Sequence, residues 1–293
     1  MSVKHPIIAV VRSSGVGTTQ VRNAFDHVFR RENVSFAEVS GESFHRYDRA
    51  AMKQAMADAA AKGHRNFSHF GPEANLFKEL ETLFRNYGET GAGKRRHYLH
   101  SAEDAENYPG QGLKAGELTP WEDIPKGSDL LLYEGLHGCV VTDEVNVACL
   151  VDLKIGVAPV INLEWIQKIH RDTSQRGYSE EAVIDAILRR MHDYVHYIIP
   201  QFAHTDVNIQ MTPVVDTSDP AISRDVPALD ECVAVIRFSK PDKWDVDFPY
   251  LLDKINNSWM SRRNSIVVPG SKLGMAMELI LPPIVRSLLK GRK

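Results

Sequence analysis

Cysteine is scarce: Cys139, Cys149 and Cys232 are the only three in 293 residues, widely spaced and without metal-ligand spacing. That excludes a disulfide framework and a cysteine zinc site, and predicts reduced, buried thiols in a cytoplasmic protein. Long apolar runs are missing as well, so no segment is predicted to span a bilayer and no membrane partner is expected. Met1 to Pro6 is too short and polar to read as a signal peptide. Charge of one sign is lacking too: 35 Lys and Arg stand against 38 Asp and Glu, a net charge of -3. This leaves no basic footprint for nucleic acid, so the cations are local tools. Internal repeats and low-complexity segments are absent. What remains is ordinary globular material, 43% hydrophobic and 25% charged, read as a single α/β domain over 1–293.

The most informative stretch is Ile7-Ile8-Ala9-Val10-Val11-Arg12-Ser13-Ser14-Gly15-Val16-Gly17-Thr18-Thr19. Five apolar residues predict a strand buried in a parallel sheet. A loop of small residues follows, and then Val21, Phe25, Val28 and Phe29 at helical spacing. Strand, loop and helix together suit an anion, because N–H groups at a helix N-terminus point at it. Gly15 and Gly17 let a phosphate approach the backbone, and Thr18 or Thr19 offers a hydroxyl for Mg²⁺. The match to G-x-x-x-x-G-K-[ST] is partial. Arg12 stands at the first glycine and Thr18 at the lysine, so an ordinary strand-to-helix turn is the competing reading.

Ligands of parallel sheets sit beyond the carboxyl ends of strands. Val34 to Val39 predicts a second strand whose end carries Glu42, His45 and Arg46. Arg49 opens a predicted helix rich in alanine. Lys94, Arg95, Arg96, His97 and His100 lie among glycines, a basic loop that suits either a sugar phosphate or solvent. Asp129 to Glu134 is a third strand, apolar until its final acid, which resembles a Mg²⁺-holding strand end. On the helix predicted over 162–172, Lys168, Arg171 and Asp172 fall on nearby faces, with Arg176 just beyond. Such cations suit a transferring phosphoryl group, and an i,i+4 salt-bridged surface is the alternative. Ser179 is a predicted N-cap, and Arg189-Arg190 are solvated or form a second anion site.

These segments together resemble bacterial-type phosphoribulokinases. The likeness rests on Ser13 to Thr19, Ser43-Phe44-His45-Arg46-Tyr47, Phe67-Ser68-His69-Phe70 and Tyr133-Glu134-Gly135-Leu136-His137-Gly138. It continues through 160–169, Val215-Asp216-Thr217-Ser218 and 265–270, covering nearly the whole chain. The resemblance implies a P-loop kinase fold, a mostly parallel sheet with helices on both faces. It implies transfer of the γ-phosphoryl of ATP to the 1-hydroxyl of ribulose 5-phosphate.

Carried over by position, Ser13, Ser14, Gly15, Val16, Gly17, Thr18 and Thr19 would cradle ATP. Glu134, Asp172 and Thr19 would serve Mg²⁺, with Glu42, Asp172 and Lys168 catalytic. His45, Arg49, His100, Arg171 and Arg176 would hold the substrate's phosphates. Arg31, Arg237 and Arg262 match positions used for NADH, implying an allosteric homo-oligomer. Three residues depart from the family pattern: Arg12 replaces glycine, Glu42 replaces an aspartate base, and Met211 stands where relatives often carry arginine. The departures leave three readings open. One is a phosphoribulokinase with Glu42 as base. Another is a related kinase whose acceptor pocket Glu42 and Met211 reshape, and the third is a weakly catalytic regulatory protein whose ATP loop Arg12 has altered.

Overall fold

The computed structural model describes residues 4–13, 19–223 and 225–290. Ser14, Gly15, Val16, Gly17 and Thr18 of the predicted phosphate loop therefore lie outside the described residues. In chain order the strands are β1 (Ile7–Arg12), β2 (Phe36–Ser40), β3 (Lys94–Arg95), β4 (Glu122–Asp123) and β5 (Leu130–Gly135). They continue with β6 (Leu153–Pro159), β7 (Val207–Pro213), β8 (Cys232–Phe238), β9 (Trp259–Arg262) and β10 (Ser265–Pro269). The helices are α1 (Thr19–Arg31), α2 (Arg49–Ala61), α3 (Phe77–Thr90), α4 (Ala102–Glu106), α5 (Ile161–Ser174), α6 (Glu180–Asp193), α7 (Phe248–Lys254) and α8 (Leu273–Lys290).

Eight strands form one sheet in the order β2-β5-β1-β6-β7-β8-β10-β9, and β3 pairs with β4 in a small ribbon. The first five run parallel, and the last three join antiparallel. Strand β1 explains the arrangement. Ile8 and Val10 point into a core shared with Val21, Phe25 and Phe29 of α1 and Ala276 and Ile280 of α8. Ile7 and Ala9 point the other way, toward Leu80, Phe84 and Tyr87 of α3. Burial on both faces is why the strand reads as an unbroken apolar run.

The ends of β1, β2, β5 and β6 therefore open on one edge, where the site residues collect. The approach of β5 to the Glu42 turn is especially close. A Cβ on Gly135 would come within 2.6 Å of the Gly41 Cα and 2.8 Å of the Tyr133 hydroxyl. Glycine at both positions permits that contact.

Several predicted elements differ. The amphipathic pattern of 245–255 predicts a helix, and the structure confines it to α7, because Asp245 takes a left-handed φ of 51° and Asp247 caps the helix behind it. Tyr98 makes only an isolated bridge to Leu118. Helix α8 continues through Pro282-Pro283, held by its apolar face against α1. Cys139 and Cys232 are buried as expected, but Cys149 is exposed at the end of a short turn. Met211, at the end of β7, packs in the apolar core. Among the described residues no helix is long and apolar enough to cross a membrane.

Candidate active site

Glu42 lies on a 3₁₀ turn, Gly41–Phe44, that leaves the end of β2. Ser40 Oγ accepts from the Glu42 N–H at 3.3 Å, and the Glu42 carbonyl accepts from the His45 N–H at 3.1 Å. Arg96 fastens the same turn, donating from Nε to the Ser43 carbonyl at 2.8 Å and from Nη2 to the His45 carbonyl. The backbone beneath Glu42 is thus held from both ends. Arg95 is also engaged, with the Glu38 carbonyl at 2.7 Å and Glu122 at 3.0 Å. Of the basic loop, His100 is the residue that reaches Glu42, its Nε2 lying 2.7 Å from Oε2. Arg49 supports it by donating to the His100 carbonyl at 3.1 Å.

Burial pushes the Glu42 carboxyl up, but the His100 hydrogen bond, the electrostatic attraction of His100 and the charge of Arg12 outweigh it and hold the group below its usual range. His100 is raised in turn, chiefly by the same hydrogen bond. Each group favours the charged form of the other, and the Glu42 carboxylate is ionised at neutral pH and available to take a proton. Substituting His100→Ala removes the strongest lowering influence while burial remains. The acid limb of the kcat/KM profile is then expected to move to higher pH, read from a pH–rate series on both proteins.

Three histidines pack behind this turn. His45 and His69 lie ring to ring, centroids 4.4 Å apart, and His137 Nε2 is 3.1 Å from the His69 carbonyl. Burial pushes His45 down to about 3, and His69 and His137 down to about 4 each. All three are neutral near pH 7, so His45 offers an N–H rather than a charge to a phosphate. Each keeps a buried Nδ1 without a hydrogen-bond partner among the described residues.

The cations come from α5 and α6. Glu164, Lys168 and Asp172 repeat every four residues on the buried stripe of α5. Asp172 is surrounded: Lys168 donates to Oδ2, while Arg171 at 2.9 Å and Arg176 at 3.2 Å donate to Oδ1. The i,i+4 pairs expected from the sequence exist, but Lys168 and Asp172 are buried rather than on a solvated face. Burial pushes the Asp172 carboxyl up, and Lys168 and Arg171 more than offset this, holding it low. Arg190 adds a further cation from α6, its guanidinium 5.8 Å from the Phe70 ring centre and its Nε buried without a hydrogen-bond partner among the described residues. Between α5 and α6, burial pushes Glu164 up to about 7 although the Tyr194 hydroxyl donates to it at 3.0 Å.

The two groups face each other. His69 feels both Arg190 and Glu42, and His100 feels both Glu42 and Arg176. Arg190 is legible in the sequence only as one of two readings of Arg189-Arg190, yet it continues the inward row of Val183 and Ile187. Arg96 and His69 carry no separate signal.

At the adjoining strand ends, Glu134 closes β5 and Ser13 follows β1, its N–H donating to the Val157 carbonyl at 3.3 Å. Thr19 opens α1. Among the described residues no three His, Cys, Asp or Glu side chains gather to hold a metal. The Glu134 carboxylate is a hard oxygen donor at a strand end and fits Mg²⁺, which takes one or two carboxylates and completes its shell with water and substrate phosphates.

The family model described as phosphoribulokinase and uridine kinase matches residues 7–218. The chain belongs to this family. A phosphoribulokinase from Nitrobacter vulgaris is 58% identical over 290 residues, covering 99% of this chain and 98% of that protein. Phosphoribulokinase 1 of Cereibacter sphaeroides is 56% identical over 293 residues, covering 100% and 99%. Among solved structures, phosphoribulokinase from Rhodobacter spheroides superposes with a TM-score of 0.90 at 54% identity, covering 99% of each chain. The sheet described above is that kinase fold, and the chain is a kinase of the phosphoribulokinase and uridine kinase family.

The proposed effector residues are dispersed on the far strands and α1. Arg237 of β8 and Arg262 of β9 both stand in register with Ser265 of β10 between them. Arg31 turns to the Glu278 carbonyl at 3.4 Å and lines a groove of about 400 Å³ with Trp244, Tyr250 and Arg286.

Proposed function

We propose that this kinase transfers the γ-phosphoryl group of ATP to the 1-hydroxyl of ribulose 5-phosphate, giving ribulose 1,5-bisphosphate. The observation that carries the reading is the ionised Glu42 carboxylate, hydrogen-bonded to His100 at 2.7 Å, near the cations of α5 and α6. A hydroxyl becomes a nucleophile by giving up its proton, and Glu42 is an ionised carboxylate on a fastened turn. Phosphoryl transfer otherwise needs positioning and charge neutralisation. Lys168, Arg171, Arg176 and Arg190 supply positive charge, with Asp172 orienting the first three. Ser13 to Thr19 are assigned to ATP, and Arg49, His45 and His100 to the acceptor's phosphate. Glu134 would hold Mg²⁺, with Thr19 beside it, and the ion, when bound, neutralises phosphate charge.

The same reading places the protein in the cytoplasm as a homo-oligomer, with NADH as an effector at Arg31, Arg237 and Arg262. The test is ADP release from Mg·ATP with ribulose 5-phosphate, beside uridine and other hydroxylated acceptors. Turnover with ribulose 5-phosphate well above every other acceptor is expected. Equal or greater turnover with another acceptor would reassign the substrate, and none with any would reject the kinase assignment of this site.

A further inference from the structure

Arg12 ends β1 in register with Val157 of β6, one residue beyond the last β1–β5 pair, Val11 with Gly135. Its Nε lies 3.3 Å from Glu134 Oε1, the carboxylate assigned above to magnesium. A second guanidinium, Arg22, stands 3.8 Å from Oε2 of the same residue. The two arginines are held differently. Arg22 is anchored to Glu38 and to Asp26 at 3.3 Å, so it belongs to a surface network on α1 and β2. Arg12 has its ion pair on Glu134 itself. Its Nε is buried and lacks an aligned hydrogen bond among the described residues, so the contact is one of charge and not of directed bonding. Its charge also reaches Glu42.

We propose that Arg12 is a built-in counter-ion for the metal-binding carboxylate: in the nucleotide-free protein its guanidinium takes the place of magnesium at Glu134, and it leaves when the metal arrives with a nucleoside triphosphate. The inference rests on the kinase reading of the site. A divalent ion on Glu134 would meet the Arg12 guanidinium, 3.3 Å from the same carboxylate, and the two charges repel. A triphosphate brings negative charge to the same strand edge and gives the released guanidinium a new partner. Metal and nucleotide thus enter together, and the free protein discriminates against the bare ion. The coupling is reciprocal, since whatever metal does for nucleotide affinity, nucleotide does for metal affinity.

Mn²⁺ binding followed by the loss of its free-ion spin resonance signal tests this without turnover. The parent chain is expected to bind Mn²⁺ weakly alone and tightly with ATP. Arg12→Gln removes the charge and keeps much of the bulk; Arg12→Gly removes both. Each is expected to tighten Mn²⁺ binding without nucleotide by at least about tenfold. Adding Glu134→Gln to Arg12→Gln is expected to abolish the gain.

Unchanged Mn²⁺ affinity in both folded variants overturns the proposal, as does a gain that survives Glu134→Gln. A gain in Arg12→Gly alone also overturns it, because bulk and not charge would then be responsible. If the parent binds no Mn²⁺ even with ATP and releases no ADP, the kinase reading falls with it. If it turns over normally while the variants bind Mn²⁺ as the parent does, the counter-ion inference alone is wrong.

Discussion

Substituting Glu42→Gln lowers kcat by about 10²- to 10⁴-fold, the usual contribution of a positioned general base. The amide keeps the shape of the side chain and the turn beneath it, which Ser40, Arg96 and the His45 N–H hold independently of the carboxylate. It cannot take a proton from a hydroxyl. ATP affinity, measured by equilibrium titration, is expected to stay within about twofold, because only a group acting in the transition state is lost. Glu42→Asp restores a carboxylate on a shorter arm, drawn back from the 2.7 Å contact with His100. A displacement of about 1 Å can cost on the order of 10²-fold, so this variant should fall between the parent and the glutamine form. Equal rates for the glutamine variant and the parent would remove Glu42 from the role of base.

Much of this site is readable in the amino-acid sequence, for definite reasons. Ile7 to Val11 is buried on both faces, and such a strand announces itself as a continuous run. Two of the candidate acids, Glu42 and Glu134, stand at strand ends, where a change from apolar to charged residues marks the position. That rule locates Glu42 and Glu134 from sequence. The spacing of Lys168 and Asp172 also reads correctly as an i,i+4 pair, but its depth does not. Depth depends on what α6 lays across α5, a contact between separate segments. Arg190 is obscured for the same reason, since a cation on an inward row looks like a solvated one until its neighbours are known.

Other features lack any local signal. Arg96 acts by donating to backbone carbonyls more than fifty residues earlier in the chain, which no motif records. The hairpin of β9 and β10 hides because β9, Trp259–Arg262, lies largely exposed at the sheet edge and shows little apolar alternation. Asp245 keeps α7 from starting earlier because it adopts a left-handed conformation at the end of the turn Pro241–Trp244. The departure at Arg12 is visible as a substitution, and its consequence is not. Only the parallel pairing of β1 with β5 puts that side chain against Glu134.

Asp172→Asn is expected to destabilise the fold by about 3 kcal/mol, the lower end of the cost of removing one partner from a buried charge pair. The size comes from Lys168, buried and bonded to Oδ2, more than from Arg171 and Arg176, which reach solvent. Removing the carboxylate leaves Lys168 near the Arg190 charge without the partner it is bonded to. Urea denaturation at neutral pH measures the loss. The sign of its pH dependence is fixed by the low position of the Asp172 carboxyl. A group lowered in the folded state contributes stability above its unfolded pKa, and that contribution disappears as the pH falls through its folded value. The gap between parent and variant should therefore narrow on acidification. A bound polyanion acts in the opposite direction: pyrophosphate should recover more stability in the variant than in the parent, because it supplies the negative charge that the amide lacks, to an extent set by its affinity. A variant as stable as the parent, with no differential response to pyrophosphate, would show that these cations are solvated independently. The electrostatic account of how α5 and α6 prepare the site for phosphoryl transfer would then have to be abandoned.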